Sequence, residues 1–157
     1  MKYVDYDIVF QEIPDEVTLA VNVSNCPFRC KGCHSRHLQQ DIGRELDEEA
    51  VATLLQSYDK AVTCICFMGG DAAPGELYRL ADFVRESRDG KVKTAWYSGA
   101  ERLPEKAKEH FDFVKTGPYQ EALGGLDSPT TNQRLYRIGK NSICDITHRM
   151  RKASWGT

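Results

Sequence analysis

Short apolar runs alternate with amphipathic helical segments through the middle of the chain, and this alternation limits the fold more than any other feature of the sequence. Residues 61–68 are an apolar run suited to a strand buried on both faces, and residues 92–97 predict another strand. Apolar side chains recur at helical spacing after Asp47 and again after Pro74. Strands that alternate with helices pair in parallel through crossover connections. We therefore expect an α/β fold with a partial (βα) barrel or an open, mostly parallel sheet.

The two ends of this region have a different pattern. Apolar and polar residues alternate over residues 4–10 and again over 17–23, which predicts two strands and an N-terminal β-hairpin. Near the other end, short apolar pieces around Leu135 and Ile143 flank a turn-like segment. We expect an irregular segment or a closing hairpin there.

Chain length and composition fit one globular domain. The chain has 157 residues, of which 41% are hydrophobic and 28% are charged, so it is long enough to bury a sizeable core. We expect a single domain over residues 1–147. Residues 148–157 are basic and polar apart from Met150 and Trp155, which predicts a mobile tail.

Charge and hydropathy patterning argue against two classes of partner. The formal net charge is −2, without the basic excess that is typical of a nucleic-acid binder. Acidic residues interrupt the apolar positions of the first thirteen residues, so no signal peptide or membrane span is expected. We expect a cytoplasmic protein with no nucleic-acid or membrane partner. In that reducing compartment, six cysteines favour metal binding or catalysis over disulfides.

Three of these cysteines lie close together in the loop that follows the second predicted strand. Cys26, Cys30 and Cys33 are separated by three and then two residues. Three thiolates on one loop can ligate three irons of a [4Fe-4S] cluster, which leaves the fourth iron open to a ligand from outside the protein. A structural zinc site with His34 or His37 as the fourth ligand is an alternative for the same residues. Unliganded loop cysteines are disfavoured, because thiols so close together are liable to oxidation.

At this point the sequence resembles a known family. The spacing of the three cysteines matches the CxxxCxxC motif of radical S-adenosylmethionine enzymes, and Gly69-Gly70-Asp71 resembles their second motif. Further similarity narrows the resemblance to the activating enzymes of glycyl-radical proteins, specifically the anaerobic ribonucleoside-triphosphate reductase activating proteins. The likeness extends from about Val17 to Ile138. The motifs that carry it are Lys31-Gly32-Cys33, Met68 to Asp71, Thr116-Gly117-Pro118-Tyr119 and Asn132-Gln133-Arg134.

The resemblance implies a cofactor and a set of contacts to it. Gly69, Gly70 and Asp71 would bind the amino group of S-adenosylmethionine, and Ser98 and Lys115 would contact its ribose or carboxylate. Reductive cleavage of the cofactor would release methionine and a 5'-deoxyadenosyl radical, which abstracts hydrogen from a glycine of the reductase. A reductant such as flavodoxin would supply the electron.

The sequence departs from the superfamily pattern beside the third cysteine. Many radical enzymes carry an aromatic residue just before that cysteine to pack on the adenine, whereas this chain has Gly32. We assign the adenine contact to His34 instead. Residues 124–134, in a long polar loop, are our candidates for partner docking.

Two other functions remain open for the same residues. One is a short radical enzyme that acts on a small molecule, as in deazapurine biosynthesis. The other is a non-catalytic zinc-binding interaction module. Cys64 and Cys66 fall within the predicted buried strand, and we expect them to be small core residues facing one side of the sheet.

Overall fold

The chain folds around one mixed β-sheet. The computed structural model describes residues 1–33 and 35–151. In chain order, the helices and strands are β1 (Lys2–Val9), β2 (Thr18–Val23), β3 (Arg44–Glu45), α1 (Glu48–Ser57), β4 (Cys64–Met68), α2 (Pro74–Ser87), β5 (Lys93–Tyr97), β6 (Phe113–Thr116), β7 (Arg134–Ile138) and β8 (Ile143–Asp145). Short 3-10 helices occupy Arg36–Gln39, Glu105–Glu109 and Thr147–Met150.

Parallel pairing is confined to the middle of the sheet. The strand order is β3-β1-β2-β4-β5-β6-β7-β8, and within the described residues three of the seven pairings are parallel, those joining β2, β4, β5 and β6. β1 pairs antiparallel with β2 and β3, and β7 pairs antiparallel with β6 and β8. The sheet is thus mixed rather than mostly parallel, because the strands added at its two edges run antiparallel to their neighbours.

Helices α1 and α2 cover one face of the sheet. The N-terminus of α1 is capped by Asp47, whose side chain accepts a hydrogen bond from the Ala50 amide at 2.8 Å. Pro74 begins α2, where its missing N–H costs no helical hydrogen bond. The apolar stripes predicted from helical spacing are buried against the strands. They comprise Val51, Leu54 and Leu55 of α1 and Leu77, Leu80, Ala81 and Val84 of α2.

The other face of the sheet is covered by segments from the two ends of the chain. Cys64 and Cys66 point to this face together, as predicted, and are fully buried. Burial raises the pKa of both thiols. They pack in a second apolar cluster, the inner cluster, whose other members are Ile13, Ala95, Phe113, Leu126, Leu135 and Ile146.

The connection between β5 and β6 contains the 3-10 turn Glu105–Glu109. The predicted mobile tail begins inside the 3-10 helix Thr147–Met150, where both guanidinium nitrogens of Arg149 donate to the carboxylate of Asp15. Residues 152–157 of that tail lie outside the described residues.

Candidate metal centre and adjoining cavity

The segments that carry the predicted site residues meet at one edge of the sheet. Parallel strands end on the same side, and the chain turns into the cysteine loop after β2 and into Gly69-Gly70-Asp71 after β4. Ser98 and Gly99 follow β5. Lys115 is the penultimate residue of β6. Ligands of open α/β sheets bind at this carboxyl edge, so the topology gathers the predicted residues where a ligand site is expected.

The cysteine loop is held at its base by backbone hydrogen bonds. The Asn25 amide donates to the Gln40 carbonyl at 2.9 Å, and the Cys26 amide donates to the Leu38 carbonyl at 2.8 Å. Farther along, the Cys33 amide donates to the Cys30 carbonyl at 3.2 Å and closes a turn. The loop therefore leaves and rejoins the body of the protein at fixed points.

All three loop thiols are free and partly exposed. Burial raises the pKa of Cys26, and the nearby carboxylate of Asp71 acts in the same direction. Over residues 1–33 and 35–151, no three His, Cys, Asp or Glu side chains converge on a single-ion site. A [4Fe-4S] cluster binds each cysteine through a different iron, so its ligands need not converge on one point. Soft, unpaired thiols are the donors that such a cluster requires.

An aromatic contact joins the cysteine loop to the end of β5. Phe28 lies so close to Gly99 that a Cβ at Gly99 would be 2.6 Å from the Phe28 Cδ2 atom. The Gly99 amide in turn donates to the Asp71 carboxylate at 3.2 Å. Phe28 was not among the predicted site residues, because its contact with Gly99 joins distant parts of the chain.

Gly69 and Gly70 have structural reasons to be glycine. Their φ angles are +111° and +90°, a region that other L-residues rarely adopt. The Gly69 carbonyl accepts a hydrogen bond from the Trp96 indole at 2.8 Å. A Cβ at Gly70 would lie 2.6 Å from Leu77 Cδ1. Both glycines therefore let the chain turn tightly after β4, and this turn sets the position of Asp71.

Two hydrogen bonds from the end of β5 fix the Asp71 carboxylate. The Ser98 hydroxyl donates to Asp71 Oδ1 at 2.5 Å, and the Gly99 amide donates to Oδ2. Burial raises the pKa of Asp71, while these two hydrogen bonds oppose the shift. Ser98 itself is fully buried, and its hydroxyl oxygen also accepts from the Ala100 amide at 3.0 Å. The buried Ser98 hydroxyl therefore supports the Asp71 carboxylate.

Lys115 is a buried cation next to this group. Its ammonium donates to the Ser98 carbonyl at 3.1 Å and to the Gly117 carbonyl at 2.9 Å. Burial lowers the pKa of Lys115 to about 8, an effect that the charge of Asp71 partly offsets. Lys115 therefore ties the ends of β5 and β6 together beside the cysteine loop.

A cavity of about 1020 Å³ opens next to these residues. Its wall includes Cys33 and Ser35 of the cysteine loop, together with Lys115 of the predicted set. Met68 and Tyr97, at the ends of β4 and β5, also line it. Tyr97 was missed by the sequence analysis, which named Met68 only as part of a motif of the resemblance and gave it no role. Their positions at strand ends are the signal that could have identified them.

The remaining predictions concern His34, the docking loop at residues 124–134 and the last motif of the resemblance. His34 lies outside the described residues. In the predicted docking loop, Leu126 is buried in the inner cluster, and the Ser128 hydroxyl donates to the Leu123 carbonyl at 2.8 Å. Gln133, from the last motif of the resemblance, lines the cavity and donates to the Gly117 carbonyl. The docking role of residues 124–134 stays a prediction.

Comparison with known proteins gives one match. The model of a family described as 4Fe-4S single cluster domain matches residues 16–135, which is well over half of the chain. That range contains the cysteine loop and all four parallel strands. No curated protein and no solved structure matches the chain significantly. In the described part of the chain, no helix is both long and apolar enough to cross a membrane.

Proposed function

We propose that this chain, which belongs to the 4Fe-4S single cluster domain family, is a radical S-adenosylmethionine enzyme that activates anaerobic ribonucleoside-triphosphate reductase. Family membership makes the chain an iron–sulfur protein with a [4Fe-4S] cluster. The observation that carries the finer proposal is the position of a three-thiol loop beside a large cavity and a buried lysine. Three ligands suit a cluster with one iron open to a cofactor.

The chain's own residues fit both a [4Fe-4S] cluster and S-adenosylmethionine. Cys26, Cys30 and Cys33 would hold three irons, and each of the three is free of a disulfide. When bound, the cluster and S-adenosylmethionine supply the hard step, in which one electron splits a carbon–sulfur bond and yields methionine and a 5'-deoxyadenosyl radical. The protein's part is to bind the cluster and the cofactor, to orient them and to shield them from water.

Asp71 and Lys115 offer complementary charges for the amino-acid end of the cofactor. The Asp71 carboxylate would accept from an ammonium group through a charge-assisted hydrogen bond. Its orientation is fixed by Ser98 and Gly99, so little freedom is lost on binding. Lys115 is held by two carbonyls and faces the cavity, where its third N–H can bind a carboxylate or ribose oxygen.

The open cavity favours a protein as the substrate. The cavity is open to solvent, and its wall is shared by the ends of the central strands and by segments from both ends of the chain. A backbone glycine of the reductase would reach the cofactor from this open side. The reducing conditions of the cytoplasm would keep the loop thiols available as ligands.

The proposal is tested by product analysis under anaerobic conditions. Reconstituted protein is mixed with S-adenosylmethionine, a one-electron reductant and the reductase. We expect 5'-deoxyadenosine, methionine and a glycyl-radical signal on the reductase. Cys26→Ala, Cys30→Ala and Cys33→Ala should each abolish all three, because a lost ligand compromises the cluster. Cys64→Ala is the matched control and should retain activity, since Cys64 is buried at the start of β4, at the opposite edge of the sheet from the cysteine loop.

Two outcomes would contradict the proposal. Wild-type activity in any of the three loop variants would remove the cysteines from the mechanism. Cofactor cleavage that depends on a small molecule and ignores the reductase would instead support the deazapurine type of enzyme. Zinc in place of iron would support the interaction module.

A further inference from the structure

Gln133 is a nearly buried polar side chain in the wall of the cavity. It is 6% exposed and comes directly before β7. It belongs to Asn132-Gln133-Arg134, a motif of the resemblance to which the proposed function gives no role. Buried polar groups are normally hydrogen-bonded, so the partners of this amide indicate what it does.

The Gln133 amide and the Lys115 ammonium share one acceptor. Gln133 Nε2 donates to the Gly117 carbonyl at 3.3 Å, and Lys115 Nζ donates to the same oxygen at 2.9 Å. A carbonyl oxygen has two lone pairs and can accept both hydrogen bonds. The two nitrogens are therefore neighbours, and both side chains line the same cavity.

The turn that carries this carbonyl is closely held by the segment before β7. Gly117 has a φ of +99°, and a Cβ there would lie 3.0 Å from Gln133 Cα. The Asn132 side chain donates to the Pro118 carbonyl at 3.0 Å. Gln133 and Lys115 are thus positioned before any ligand binds, so little conformational freedom is lost on binding.

Both side chains have hydrogen-bonding capacity left at the cavity. Among the described residues, the Gly117 carbonyl is the one hydrogen-bond partner of the Gln133 side chain. A primary amide has two N–H donors and an acceptor oxygen, so one N–H and the oxygen remain. Lys115 donates to two carbonyls and has a third N–H left. A ligand in the cavity can pair with these groups.

The chemistry of the two donors selects a carboxylate. Two neighbouring N–H donors, one of them on a cation, match the two oxygens of a carboxylate. Burial lowers the pKa of Lys115 to about 8, and a bound anion would favour its charged form. On its other side, Lys115 donates to the carbonyl of Ser98, whose hydroxyl holds the Asp71 carboxylate. An ammonium group beside Asp71 and a carboxylate beside Gln133 would therefore flank Lys115, as the two ends of an amino-acid group require.

We infer that Gln133 is a specificity-determining residue that forms, with Lys115, a two-donor site for the carboxylate of the amino-acid group of the cofactor. This inference rests on the proposed function and deepens it, because S-adenosylmethionine carries such a group. The cavity wall also includes Arg149, but both of its guanidinium nitrogens donate to the Asp15 carboxylate. Lys115 and Gln133 are free of such an ion pair in the described part of the chain.

The test measures equilibrium binding of two probes to the anaerobically reconstituted protein. S-adenosylhomocysteine carries the amino-acid group, whereas 5'-methylthioadenosine lacks it and keeps the adenosine. We expect Gln133→Met, which keeps the length of the side chain but has no N–H, to weaken S-adenosylhomocysteine binding at least about tenfold, as loss of a hydrogen bond to a charged group does. The affinity for 5'-methylthioadenosine should not change. Lys115→Met should show the same selectivity between the probes.

Two further variants complete the design. Gln133→Glu keeps the size and polarity of the side chain but places a negative charge opposite the carboxylate of the probe. It should weaken S-adenosylhomocysteine binding more than Gln133→Met does. Gln120→Met replaces an exposed glutamine in the same connection between β6 and β7 and should match wild type for both probes.

Each result decides between distinct claims. Unchanged binding of S-adenosylhomocysteine by both Gln133 variants would overturn the inference and leave the proposed function intact. Equal losses for the two probes would also overturn it, because Gln133 would then support the cavity wall without recognising the carboxylate. Failure of the wild-type protein to bind either probe would instead count against the proposed function.

Discussion

The turn after β4 requires glycine at position 70. Gly70 has a φ of +90°, and a Cβ there would lie 2.6 Å from Leu77 Cδ1 and 2.9 Å from its Cγ. We expect Gly70→Ala to lower the free energy of unfolding by at least about 2 kcal/mol, from left-handed strain and overpacking together. Urea unfolding under reducing conditions measures this change.

Gly75 offers a matched control for that substitution. It lies in α2, and a Cβ there would meet nothing within 4 Å. Gly75→Ala should not destabilise the protein and should raise the free energy of unfolding by up to about 1 kcal/mol, because alanine has the higher helix propensity. Equal effects of the two substitutions would show that the turn is not constrained as described.

Site residues differ in how far the sequence predicts them. The cysteine triplet depends on local spacing, so its position in one loop after β2 was foreseeable. The contact of Ser98 with a cofactor stays a prediction, and the sequence did not predict that its hydroxyl donates to Asp71, which lies 27 positions earlier. Phe28 was missed because its partner Gly99 comes from another strand end. Contacts across the sheet depend on topology, which local patterns do not encode.

Among the elements, α1 is the one whose start is most clearly determined by a single side chain. Asp47 accepts a hydrogen bond from the Ala50 amide and satisfies one of the free N–H groups of the first turn. We expect Asp47→Ala to lower the free energy of unfolding by about 1 kcal/mol. Gln56→Ala, at an exposed position of the same helix, should change it by less than about 0.5 kcal/mol. Comparable losses in the two variants, measured by urea unfolding, would contradict the capping role.

The elements that the sequence predicts well have a clear apolar pattern, either a helical period or a continuous buried run. α1, α2, β4 and β5 occur where apolar spacing places them. The short strand β3 was not predicted, because its two residues become a strand only by pairing with β1. The connection between β5 and β6 contains the 3-10 turn Glu105–Glu109 and no α-helix.

At the scale of the whole molecule, alternation of strands and helices accounts for the position of the site. The parallel pairing of β2, β4, β5 and β6 follows from that alternation and brings the cysteine loop, Asp71 and Lys115 to one edge. The inner face is closed by segments around Ile13 and Ile146, which are far apart in the chain. Their meeting forms the cavity rim, and no local pattern predicts it.

The central claim is that the three-thiol loop holds a cluster with one iron open to S-adenosylmethionine. Electron paramagnetic resonance of the reduced, anaerobically reconstituted protein tests it most directly, recorded with and without the cofactor and accompanied by iron and zinc analysis. The account predicts a reduced four-iron signal that changes when S-adenosylmethionine is added. Zinc without iron, or a cluster signal that is indifferent to the cofactor, would contradict it.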